Sequence, residues 1–209
     1  MDKLSSYGNI PIDYVTLRSL YPTHRSLWDK VANLEKQGIL IRLKKGLYIV
    51  SPNITKQEVS RELIANHLYG PSYVSMEAAL AFYGLIPEHV YNITSMTIKR
   101  SRSFQNELGR FSYTSCSEAY YAIGIEQAVV DQQFAFLIAS PQKALCDQIV
   151  YTPNLQLRSA KAAKQYLEED LRIDMDKFYE MDINIFQQCA IHSKKKQALQ
   201  NIINLRISI

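Results

Sequence analysis

The sequence predicts an α+β chain in two parts. Residues 1–52 read as a winged helix-turn-helix, and residues 53–209 as a mixed α/β domain that ends in helices. Three observations carry this. Apolar residues recur at helical spacing in two short segments before Gly38, and strict alternation then takes over. Ser51-Pro52-Asn53 is a short polar break. The charge divides at the same place: residues 1–50 hold eight Lys or Arg against four Asp or Glu, and the rest balances at sixteen of each.

Asn9-Ile10-Pro11 reads as a helix start, with proline in or near the first turn. Leu17, Leu20 and Tyr21 follow at i, i+3, i+4, and Pro22 ends the helix at Leu20 or Tyr21, because it lacks an N–H and restricts the residue before it. A second helix is expected from Thr23 or Ser26 to Gln37, with Gly38 as its cap. Leu27, Val31 and Leu34 form its buried stripe. At ~100° per residue, Arg25, Asp29, Ala32 and Lys36 point the other way. Trp28 falls at the border of the stripe and reads as a partly buried core aromatic rather than a DNA contact. His24 reads as a turn residue.

Ile39, Ile41 and Leu43 alternate with Leu40, Arg42 and Lys44, and Lys45-Gly46 reverses the chain into Leu47–Val50, which makes a hairpin with a basic tip. Helix, turn, helix and basic hairpin in this order predict binding to double-stranded DNA. The second helix would offer Thr23, Arg25, Ser26, Asp29, Lys30 and Lys36 to the major groove. Arg42, Lys44 and Lys45 would meet phosphates.

Beyond the break, Ile54–Tyr69 reads as one helix stopped by Gly70-Pro71, and Ala78–Tyr83 as a short helix ended by Gly84. Strands are expected over Ile93–Lys99, Arg110–Ser115, Tyr120–Glu126 and Gln133–Ala139. Pro141 starts another helix. From Ser159 the chain is helical in character, broken near Asp174 and Asn184. Lys99, Arg100, Arg102 and Lys143 form a second candidate binding surface. The tyrosines between Tyr69 and Tyr121 either belong to that surface or edge the core.

Catalytic apparatus is sparse. No GxSxG, P-loop, HExxH or GxGxxG occurs. A nuclease centre would have to be assembled from Asp131 and Lys143, whose spacing is unspecific. Cys116, Cys146 and Cys189 form no CxxC, and the four histidines show no ligand spacing, so no metal or cofactor is expected. There is no apolar run of the ~20 residues that a membrane span needs, and no apolar leader, which together predict a cytoplasmic protein.

Five segments resemble one family in matching order: GILIRLKKGLY from Gly38 to Tyr48, PSYVSMEAAL from Pro71 to Leu80, YGLIPE from Tyr83 to Glu88, ITSMT from Ile93 to Thr97 with Lys99-Arg100 after it, and IASPQKALCD from Ile138 to Asp147. Over about residues 20–150 the chain resembles antitoxins of the AbiEi kind, from the type IV toxin–antitoxin systems of phage defence. The resemblance implies an autoregulator that binds inverted repeats upstream of its own operon. It also implies that the second domain is antitoxin-like and antagonises a nucleotidyltransferase toxin, without a stable complex and without being an enzyme. Two other readings stay open: a stand-alone regulator whose second domain binds a ligand or a protein, and a nucleic-acid-processing enzyme.

Overall fold

A three-stranded antiparallel sheet organises the first fifty residues of the computed structural model, which describes residues 3–207. Its strands are β1 (Ile12–Asp13), β2 (Leu40–Lys44) and β3 (Leu47–Val50), in the order β1-β3-β2. The proline of Asn9-Ile10-Pro11 does not open a helix. It precedes β1, where Ile12 pairs with Tyr48, and α1 (Tyr14–Leu20) begins only afterwards. Asp13 caps α1 by accepting from the Thr16 N–H at 2.8 Å. That bond holds the Asp13 carboxyl below its ordinary value.

The second helix, α2 (Leu27–Lys36), keeps its expected bounds because both ends are chemically marked. Ser26 accepts from the Asp29 N–H. Gly38 takes up the left-handed conformation, φ +67°, that ends helices cheaply only for glycine. Leu27, Val31 and Leu34 are buried together with Leu4, Ile12, Leu17, Leu40, Tyr48 and Val50 as a first apolar core.

The expected helix over Ile54–Tyr69 is two helices, α3 (Pro52–Thr55) and α4 (Arg61–Leu68). Lys56 turns left-handed after the first, and Ser60 starts the second by capping the Leu63 N–H. There follow β4 (Ser72–Val74), α5 (Met76–Phe82), β5 (Asn92–Thr97), β6 (Arg102–Asn106), β7 (Gly109–Ser115), α6 (Glu118–Tyr121), β8 (Ile125–Val130) and β9 (Phe134–Ala139). The six strands form one mixed sheet in the order β6-β7-β5-β4-β9-β8. The β5–β7 and β4–β9 pairs are parallel, and the other pairs are antiparallel. The strand expected over Tyr120–Glu126 is divided between helix α6 and strand β8.

The helix after Pro141 is α7 (Pro141–Tyr151), and every residue from Lys143 to Val150 in it is buried. The C-terminal part comprises α8 (Ala160–Gln165), a π-helical turn over Tyr166–Asp170, α9 (Met175–Glu180), α10 (Ile183–His192) and α11 (Lys196–Ile207). Asp174 and Asp182 cap α9 and α10, which accounts for the breaks in the helical pattern. Among the described residues no helix is long and apolar enough to cross a membrane.

The β2–β3 hairpin belongs to both halves of the molecule. Leu40, Tyr48 and Val50 face the first core, whereas Leu43, Leu47 and Ile49 lie in the larger core under the six-stranded sheet. Asn106 on β6 also donates to the Leu43 carbonyl at 3.1 Å.

Candidate nucleic-acid interface

The outward side of α2 carries the expected polar residues. Arg25, Asp29, Ala32 and Lys36 are exposed, as is Thr23 in the preceding turn. The turn itself is fixed from α1, where Arg18 donates to the His24 carbonyl at 3.1 Å. Two members of the set are already engaged within the protein. The Ser26 hydroxyl is the helix cap. The half-buried Lys30 holds its ammonium 5.1 Å from the centre of the Tyr21 ring.

Trp28 departs from its expected place in the core. It is 52% exposed, and its ring stacks on Tyr14 of α1 with centroids 4.7 Å apart. Tyr14 in turn donates its backbone N–H to Gly46, in the hairpin turn, at 3.1 Å.

The hairpin does not hold Arg42, Lys44 and Lys45 at one tip. Arg42 pairs opposite Tyr48, but two residues later Lys44 pairs opposite Leu47, so β2 carries one extra residue. Such a bulge re-aims the side chains beyond it. Arg42 therefore stays on the Tyr48 face, where it pairs with Glu35 of α2 at 3.0 Å. Lys44 is turned to the opposite face and donates to the Leu68 carbonyl at the end of α4, at 2.5 Å. Lys45 remains exposed in the turn.

Lys44 and Lys45 thereby meet two residues of the second candidate surface, Lys99 and Arg102. Together with His67, Tyr69, Lys99, Arg102 and Phe104 they line a cleft of ≈ 580 Å³ to which no carboxylate contributes among the described residues. Lys99 is anchored by donating to Gly70 O at 2.5 Å. The Arg102 guanidinium lies over the Phe104 ring at 4.9 Å. Tyr69 donates to the backbone carbonyl of Arg100 at 3.2 Å, but Arg100 itself does not line the cleft. Partial burial, and then the charges of Arg102 and Lys99, lower the Lys44 ammonium below its ordinary value. Cations held this close favour an entering anion, because each phosphate oxygen would relieve their mutual repulsion.

No family model and no curated protein sequence matches the chain. Function is therefore read from the groups themselves.

Lys143 does not join this surface. Its ammonium is fully buried, 3.1 Å from the Asp147 carboxylate one helical turn on. It also donates to Tyr120 O at 2.9 Å and sits 3.2 Å from the centre of the Tyr120 ring. Tyr73 and Ser75 complete the Asp147 shell at 3.0 and 2.6 Å. Gly124 closes over this pair: a Cβ there would come within 2.9 Å of the Lys143 Cβ. Asp131 is exposed in the β8–β9 turn, so Asp131 and Lys143 do not assemble a nuclease centre. Of the tyrosines, Tyr73, Tyr113 and Tyr120 are buried, Tyr83 and Tyr121 are half-buried, and Tyr91 is exposed; only Tyr69 belongs to the cleft.

Proposed function

We propose that the chain is a duplex-DNA-binding transcriptional regulator whose first fifty residues work as a winged helix. In this reading α2 enters the major groove with Arg25 and Asp29 toward base edges. The cleft beside the hairpin turn then meets the sugar–phosphate backbone. The observation that carries the reading is the crowding of Lys44, Lys45, Lys99 and Arg102 in a cleft that no carboxylate lines among the described residues. A single small anion would satisfy only part of that charge, whereas a phosphate chain running past the hairpin meets it along its length.

The test uses the full chain and labelled duplexes enriched from a random-sequence pool. Lys99→Ala and Arg102→Ala should each reduce the slope of log affinity against log salt by roughly 0.9. Arg25→Ala should cost about 1–3 kcal/mol on the enriched duplex and much less on unrelated DNA. Salt slopes unchanged by both cleft substitutions would remove the cleft from the interface. Equal losses from Arg25→Ala on both duplexes would reduce that residue to a phosphate contact.

The family resemblance adds a second role, that of an antitoxin acting in the cytoplasm. The regulator would bind an inverted-repeat operator and antagonise a nucleotidyltransferase toxin without a stable complex. This part rests on the five matching segments alone. It is tested by growth rescue in cells that express such a toxin from a neighbouring reading frame; growth arrest that persists despite a folded, abundant full chain would refute it.

A further inference from the structure

We infer that the Trp28–Tyr14 stack is a sequence-reading contact, whose free indole face packs against the C5-methyl group of a thymine in the major groove. The inference rests on the DNA-binding reading above and adds to it a base-specific apolar contact.

Trp28 lies in the first turn of α2, next to Asp29, and Arg25 precedes the helix by two residues. Among the described residues only Tyr14 stacks on it, with 29° between the ring planes, and half of the residue remains in water. Covering the exposed half of the indole would gain free energy in proportion to the area removed from water. Its stacking on Tyr14 limits the rotamer freedom that binding would otherwise have to remove.

The position decides what covers it. Tyr14 is bonded through its backbone to Gly46, so the stack sits between the outward side of α2 and the hairpin turn that carries Lys45. An apolar face on a helix preceded by the exposed Arg25, and held beside a turn that carries the exposed Lys45, suits a polyanion with an apolar group exposed between its phosphates. In the major groove of duplex DNA that group is the thymine methyl. Asp29, the adjacent carboxylate, matches the amino donor of cytosine in the same groove.

Trp28 is the sole tryptophan of the chain, so emission excited selectively in the indole, beyond tyrosine absorption, reports this position alone. The probe is the duplex enriched by the full-length protein. Saturation with it should change the Trp28 emission. Replacing dT by dU one position at a time should reveal a step where affinity falls about fourfold, the loss expected for one methyl-sized apolar group left unburied. Trp28→Ala should weaken binding and erase the difference between the dT and dU duplexes. Trp28→Phe, which preserves a stacked ring on Tyr14, should keep part of it.

Tight binding with unchanged emission and no dU-sensitive step would overturn the inference and leave the DNA-binding reading standing. Failure to enrich any duplex would overturn both. Emission that changes with protein concentration alone, together with a dimer that Trp28→Ala dissociates, would assign the stack to a second copy of the chain and also overturn the inference.

Discussion

Two opposite charges one turn apart on a helix can both leave water only if they meet and their remaining valences are filled. Lys143 and Asp147 meet at 3.1 Å, with Tyr73 and Ser75 donating to the second carboxylate oxygen and the Tyr120 carbonyl accepting from the ammonium. Lys143→Met or Asp147→Asn alone should therefore destabilise the fold by about 3–5 kcal/mol, since each leaves an uncompensated partner. Lys143→Met combined with Asp147→Asn should cost less than the sum of the two single changes, as a double-mutant cycle in urea would show. Additive losses would mean that the charges do not act as a pair. The sequence did carry a sign of this. Lys143 and Asp147 are four apart and flanked by Ala144, Leu145, Cys146 and Ile149, an apolar setting in which a lone surface lysine is out of place. Trp28 had no comparable sign. About 100° from the centre of the buried stripe, an aromatic can turn either way, and its stacking partner Tyr14 lies on another helix.

At the level of elements, what the sequence revealed follows from how local each signal is. Helix α2 was legible because its cap, its stripe and its closing glycine are all within fourteen residues. Strand β1 was not, because Ile12 and Asp13 become a strand only by pairing with Tyr48 and Leu47. The edge strand β6 escaped because Arg102–Asn106 is largely polar and solvent-facing. The alternation in β2 was read correctly up to Arg42 and then failed at the bulge, which no periodicity reveals. The bulge gives neighbouring lysines different jobs. Lys44→Ala should lower the melting temperature by removing the bond to Leu68 O, a loss of about 0.5–1.5 kcal/mol. Lys45→Ala should leave melting unchanged and reduce the salt slope of duplex binding by roughly 0.9. Thermal melts and binding titrations of the two variants separate these effects, and equal melting shifts would contradict the different roles assigned to them.

For the molecule as a whole, the shared hairpin ties the two cores into one energetic unit. Leu43, Leu47 and Ile49 lie in the larger core, although they precede the polar break at Ser51. Leaving out even one such side chain costs about 2–5 kcal/mol, and three approach the roughly 5–15 kcal/mol that holds a domain together. A fragment beginning at Ser51, which the charge balance and length alone would present as self-sufficient, should therefore be much less stable than the full chain. In the full chain, urea unfolding followed by Trp28 emission, which reports the stack on Tyr14 beside the first core, should coincide with unfolding followed by far-ultraviolet circular dichroism. Two separated midpoints would show that the halves melt independently. A strand that floors two cores also limits how such a protein can diversify. Joining residues 1–50 to a foreign body would leave a bare leucine and isoleucine stripe with nothing to cover it, and the host would lose the same stripe from its own interior. On the reading proposed above, new target sequences are reached by point changes along the outer side of α2, and the binding unit cannot be traded between proteins as a detachable cassette.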